Sequence, residues 1–340
     1  MRNFKKILCI LLAMVTAAVS LLSCSNSLKS TEEELRTVMR VGEQEVPYEL
    51  YRYLVMSYKS DMPEGTEITP EVEAEIKYNV EEALRDIYAI FAVAREHGIS
   101  TEDDTVKAAV DAAVKEYQNG FEKTELYVED LKAQYMNHSV HKLLQSKQVC
   151  SDELYYKLMT DGTFETDEKE LHDMIYGDGF VRVKQVLIVG ESARSSFGDT
   201  YFVGGEDHTD EEAKAIAETV LEKARNGEDF DALVSEYGES LFMFKNTDGY
   251  YVCEGMWEDV NWNAVKSLEE GEVSEVVSSD SGYSVFLRLE KDEAYLEKNY
   301  DTLKSNYYAA QFSMILEKKS EELTVKYTDE FSNISIKDMQ

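Results

Sequence analysis

The stretch Gly177-Asp178-Gly179-Phe180-Val181-Arg182-Val183-Lys184-Gln185-Val186-Leu187-Ile188-Val189 decides how this chain folds. Two glycines around an aspartate stop a long region of helical periodicity. Residues 181–189 then carry four valines, a leucine and an isoleucine, the composition of a buried strand. A polar, glycine-containing loop follows over 190–208. Thr209-Asp210-Glu211-Glu212 has the form of a capping box, and Ile216, Ala217, Val220, Leu221 and Ala224 carry that helix on to Asn226-Gly227. Phe230, Leu233, Val234 and Tyr237 mark a second, shorter helix. A strand near 249–252, a helix over 257–268, a turn at Glu269-Glu270-Gly271 and strands near 274–278 and 283–289 complete the region. The order is β-α-α-β-α-β-β, and about a hundred residues is a normal size for one core.

On the amino-terminal side, residues 38–46 read as two short strands about Gly42-Glu43, with Pro47 in the first turn of a helix bearing Tyr48, Tyr51, Leu54, Val55 and Tyr58. Thr69 and Pro70 suit the cap and first position of a longer helix. Its apolar face runs through Val72, Ile76, Val80, Ala83, Leu84, Ile87, Phe91 and Ala94, and Gly98 closes it. Further helices are predicted over 101–118, from about 123 to 147, and again from 152. On the carboxy-terminal side, residues 292–322 read as one long helix, which needs a surface to cover. The expected fold class is therefore α+β: a discontinuous helical domain (38–177 and 292–340) with an α/β domain (178–291) inserted into it. The tyrosines of the first stripe and Tyr307-Tyr308 are read as core rather than cleft.

The chain opens with the layout of an export signal. Arg2, Lys5 and Lys6 precede an apolar run, and Leu21-Leu22-Ser23-Cys24 closes it. The run is short for a membrane span, and those four residues resemble the lipobox of bacterial lipoproteins. That resemblance implies cleavage of residues 1–23, a diacylglycerol on Cys24, a tether over 24–37, and an extracytoplasmic protein anchored to the bacterial cell membrane. Loss of the three basic residues takes the net charge from −33 to −36. So acidic a chain is unsuited to nucleic acid and is repelled by anionic lipid, which leaves membrane contact to the acyl chains. Cys150 and Cys253 remain, and free, partly buried thiols are expected rather than a disulfide. There is no CxxC, HExxH, GxSxG, P-loop or GxGxxG, and no cofactor is expected. His138 and His141 lie three apart on a helix with no third ligand evident, so they read as surface histidines and no metal site is expected.

Taken together, Val183-Lys184-Gln185-Val186-Leu187-Ile188, Asn226-Gly227-Glu228-Asp229-Phe230, Leu233-Val234-Ser235-Glu236-Tyr237, Gly249-Tyr250-Tyr251, Gly255-Met256, Glu270-Gly271-Glu272-Val273-Ser274 and Ser281-Gly282-Tyr283 resemble the parvulin peptidyl-prolyl isomerase domain. With the lipobox and the flanking helices, the whole chain resembles the PrsA- and SurA-type foldases, whose helical domain is a chaperone module. The resemblance implies a partner class, unfolded or newly exported polypeptides with Xaa-Pro segments, and a proline-binding slot that includes Tyr251, Met256 and Tyr283, with Val260 or Trp262 completing the wall. Parvulins usually carry histidines where this chain has Gln185 and Ser284, and a cysteine or aspartate near Glu239-Ser240. The parvulin-equivalent catalytic positions are therefore Gln185, Ser240, Ser281 and Ser284.

Rotation about an Xaa-Pro bond crosses a barrier of about 18–20 kcal/mol and takes about 10–100 s unaided. An apolar slot for the ring and donors that favour the twisted amide can suffice by differential binding. Glutamine and serine form hydrogen bonds but do not reproduce two facing imidazoles. A foldase with weak or lost isomerase activity is the expected function; an active isomerase and a non-catalytic surface scaffold are the alternatives. The loop over 190–208 lacks the basic cluster that reads phosphate.

Overall fold

A computed structural model describes residues 28–62, 65–164, 167–197, 202–203 and 208–339. The signal segment and Cys24 lie outside the described residues. Two compact units divide the described chain. One covers residues 162–314; the other comprises the chain up to Asp161 and from Ile315 onward. The α/β unit is thus an insertion in a discontinuous helical unit. The division lies outside the positions 178 and 291 at which the sequence pattern changes.

In the helical unit, α1 (Glu32–Leu35) leads into β1 (Thr37–Val41) and β2 (Gln44–Pro47). Helices α2 (Tyr48–Ser60), α3 (Pro70–Glu96), α4 (Asp104–Asn119), α5 (Thr124–Ala133) and α6 (His138–Thr160) follow. Thr69 Oγ1 accepts the Val72 N–H at the start of α3, Pro70 holds the first position, and Gly98 ends it at φ +74°. The tether expected over 24–37 is folded from Ser30 onward. Ser30 Oγ donates to the buried Glu49 at 2.7 Å, and Thr31 and Glu34 cap α1 reciprocally.

The helix expected over 123–147 is instead broken at 134–137. Tyr135 takes φ +60° there, and Asn137 Oδ1 accepts the Val140 N–H to start α6 afresh. α6 then runs without the expected break near 150. His141 is not a surface histidine. The Tyr127 hydroxyl from α5 lies 2.8 Å from His138 Nδ1 and 3.0 Å from His141 Nδ1. Burial lowers both imidazole pKa values, so both rings are neutral at pH 7.

The core of this unit gathers Val38, Met39, Val41, Leu50, Tyr51, Leu54, Ile76, Val80, Leu84 and Ile87 with Ile336 and Met339 from the far end of the chain. Tyr51 is fully buried, as the core reading requires. Cys150 and Cys253 are both free and buried. Among the described residues no helix is long and apolar enough to cross a membrane.

The α/β unit contains α7 (Glu168–Tyr176), β3 (Phe180–Ile188), α8 (Glu191–Phe197), α9 (Asp210–Arg225), α10 (Phe230–Tyr237), α11 (Leu241–Lys245), β4 (Tyr250–Cys253), α12 (Asp259–Lys266), β5 (Val277–Ser279) and β6 (Gly282–Leu289). The Thr209–Glu212 capping box is formed in both directions. Two elements are additions to the sequence reading: α8, inside the expected loop, and α11, before β4. The long helix α13 (Glu293–Glu322) begins in this unit and crosses the division at 314/315. It kinks at Asn299, whose side-chain amide donates to the Tyr295 carbonyl. The last strand, β7 (Val325–Tyr327), pairs antiparallel with β1, so the helical unit holds a three-stranded sheet of order β2-β1-β7. The sheet of the α/β unit has order β4-β3-β6-β5, with every neighbouring pair antiparallel.

Candidate functional site

Register decides which side chains of this sheet can meet. Gln185 stands opposite Phe286, Leu187 opposite Ser284, and Val183 opposite Tyr250. Opposed residues share a face and alternate residues repeat it. Gln185, Ser284, Phe286 and Tyr250 are therefore on one face, and Tyr251 and Tyr283 are on the other.

On the first face the Tyr250 hydroxyl donates to Gln185 Oε1 at 2.9 Å, and Gln185 Nε2 donates to Ser284 Oγ at 2.9 Å. All three residues are buried, Ser284 completely. Burial pushes the Tyr250 phenol far above its ordinary range, so it stays protonated and acts as the donor. The direction of the chain is thus fixed: phenol to amide to hydroxyl. Neither glutamine nor serine titrates, and the network holds no group that exchanges a proton near neutrality.

Aromatic rings line the same face. Phe242 on α11 meets Tyr250 edge-on at 4.8 Å. Tyr250 meets Trp257 at 5.4 Å, and Trp257 lies 5.4 Å from Phe286. Phe286 and Tyr250 are the buried members of this array, Trp257 is half-buried, and Phe242 is 55% exposed. The result is an aromatic shelf over the polar network. Ser240 Oγ accepts the Met243 N–H and caps α11. Met243 is buried with its sulfur 3.4 Å from the Gln185 nitrogen. That anchor holds Phe242 at the shelf's edge.

Glu239 is a structural support beneath the loop that follows β3. Its carboxylate accepts the Val189 N–H at 2.5 Å and an Arg194 guanidinium N–H at 2.9 Å. Burial raises its pKa, against the lowering effects of the Val189 N–H, Arg194 and His208. Both residues at the ambiguous Glu239-Ser240 position therefore have structural duties, one as a buried ion-pair partner and the other as a helix cap.

The other sequence-predicted residues lie elsewhere. The Tyr251 hydroxyl accepts the Asp292 N–H at 2.7 Å, and its ring stacks on Tyr295 at 5.2 Å, on the face opposite Gln185. Tyr283 is half-buried on that same opposite face. Ser281 pairs with Ser279 across the β5–β6 turn at 2.9 Å. Met256 is half-buried in the turn after β4. Val260 is exposed, and Trp262 is buried with its indole N–H unpaired. So Gln185 and Ser284 are brought together, and the aromatic residues beside them are Tyr250 and Trp257, each one position from the slot residue that the resemblance implied. Strand alternation counted from Gln185 through the β3–β4 pairing would have selected Tyr250. Phe242 sits on an element that the sequence reading did not contain.

Residues 202–290 match a family model described as Rotamase, PPIC-type PPIase domain. A curated relative, Foldase protein PrsA of Bacillus subtilis (strain 168), is 32% identical over 83 residues, which are 24% of this chain and 28% of that protein. Among solved structures, peptidylprolyl isomerase PrsA from Bacillus anthracis shares 14% identity over 71% of this chain and 94% of its own, with a TM-score of 0.39. Foldase protein PrsA from Streptococcus pneumoniae str. Canada MDR_19A shares 18% identity over 82% of this chain and 94% of its own, with a TM-score of 0.35. The α/β unit carries a parvulin-class, PPIC-type domain. Over that segment the chain is similar to a PrsA foldase, and it spans little more than a quarter of that relative's length. The matched segment begins after β3, so Gln185 is placed by the fold and not by the match.

Proposed function

We propose that this chain is a lipid-anchored, extracytoplasmic foldase. It binds Xaa-Pro segments of exported polypeptides on the shelf that Phe242 and Trp257 form about the buried Tyr250, and it isomerises them weakly. The observation that carries the reading is the Tyr250–Gln185–Ser284 chain. Its hydrogen bonds are satisfied within the protein and its members are buried. Catalysis needs contacts that are stronger to the twisted amide than to the planar one. A network closed on itself offers few such contacts, whereas the aromatic shelf binds the prolyl ring equally well in both states. The lipobox ending in Cys24 supports membrane attachment.

The test is suppression of aggregation of a chemically unfolded protein by the soluble chain that starts after Cys24. Suppression weakened by Trp257→Ala is the expected result; a scaffold without client binding would give none. For the anchor, incorporation of labelled fatty acid by the full chain should vanish in Cys24→Ala.

A further inference from the structure

We infer that Phe242 is a specificity-determining residue, making the shelf selective for polypeptide segments with an aromatic or large apolar side chain beside the proline and no acidic one. The inference rests on the shelf being the prolyl site. Among the described residues Phe242 is one of the most exposed large apolar side chains, 55% accessible. Its position is nevertheless fixed. The Ser240 cap and the buried Met243 anchor α11, the Asn246 side chain donates to the Phe242 carbonyl at 2.8 Å, and the ring stands edge-on to Tyr250 at 4.8 Å. A rigid aromatic held at the edge of an apolar surface costs little entropy to bind against and offers its free face to a second ring.

Charge selects the same class of segment. Asp248, Glu254, Glu258 and Asp259 flank the shelf residues in the chain, against Lys245 in the chain and Arg182, which donates to the Asp248 carbonyl from β3, and the whole protein carries −33. An acidic neighbour of the proline meets like charge there, while a basic one further along meets its complement. The occupant is therefore an extended, apolar-to-basic segment of an unfolded polypeptide.

The experiment measures binding of labelled hexapeptides to the full chain in mild detergent by fluorescence anisotropy. Phe, Leu, Ala or Glu is placed on either side of a central proline, with Pro→Ala controls. The Phe-containing peptides should bind about 3- to 10-fold more tightly than their Ala counterparts, with Glu weakest. In Phe242→Ala the Phe-containing and Ala-containing peptides should bind alike, and Phe242→Leu should restore part of the difference. An unchanged ranking in Phe242→Ala overturns the assignment. Selectivity that needs Phe242 but not the proline supports the assignment and overturns the prolyl reading. Binding of no peptide overturns both.

Discussion

Replacing Tyr250 by phenylalanine removes one donor from a buried network and leaves Gln185 Oε1 without its partner. An orphaned buried acceptor costs about 1–3 kcal/mol. Urea unfolding of Tyr250→Phe should show that loss in the α/β unit, whereas Tyr251→Phe, on the opposite face, should leave the shelf untouched. The contrast shows how much of the site the sequence held. Gln185 and Ser284 were legible because the strand run and the Gly-Tyr step fix their places. The aromatic partners were not, since a one-residue slip on a strand carries a side chain to the other face. Another residue gives a pH signature. Asp86 is buried, bonded to Ser320 at 2.7 Å, and pushed up to about 7, first by burial and then by Glu82 and Glu317 against Ser320 and Lys147. Its folded pKa lies above the unfolded value of 3.8, so its contribution is fully present below about pH 4 and is lost as pH rises through 7. Between pH 5 and 8 the helical unit should therefore lose stability relative to Asp86→Asn, by at most about 3 kcal/mol. Equal slopes in the two proteins would refute this.

Elements differ in what they contribute. The loop after β3 is held by Glu239 and Arg194, both nearly buried, whereas Arg225 and Glu275 pair in the open. Glu239→Ala leaves a buried guanidinium without its carboxylate and should cost about 3–5 kcal/mol. Arg225→Ala should cost no more than about 1 kcal/mol. Thermal melts of the two variants give the comparison. Gly282 opens β6 at φ +123°, and a Cβ there would meet the Ile188 carbonyl oxygen at 2.4 Å, so Gly282→Ala should disturb the β3–β6 pairing. Long elements with caps, such as α3 and α9, were readable from sequence because their signals are local. The helix α11 is five residues of mostly apolar side chains, too short to repeat a period. The strand β7 is three residues whose partner, β1, lies nearly the whole chain away. The buried state of His141 likewise depends on Tyr127 from another helix.

At the scale of the molecule, the helical unit is built from both ends of the chain. Ile336 and Met339 enter its core and β7 completes its sheet. Ile336→Ala should destabilise that unit by about 2–5 kcal/mol while sparing the α/β unit, whose core is a separate cluster. The acidity of the chain and the proposed lipid on Cys24 fit the proposed role of receiving unfolded polypeptides beside a membrane. The central claim is that a parvulin-class sheet carrying Gln185 and Ser284 binds proline segments without accelerating their rotation much. The most direct measurement is the cis-to-trans rate of Xaa-Pro tetrapeptides with the soluble chain that starts after Cys24, alongside Trp257→Ala. The expected result is peptide binding that requires Trp257, with relaxation staying near the uncatalysed 10–100 s. Rapid turnover that disappears in Trp257→Ala would contradict the account and make the Tyr250–Gln185–Ser284 chain a working replacement for the histidine pair.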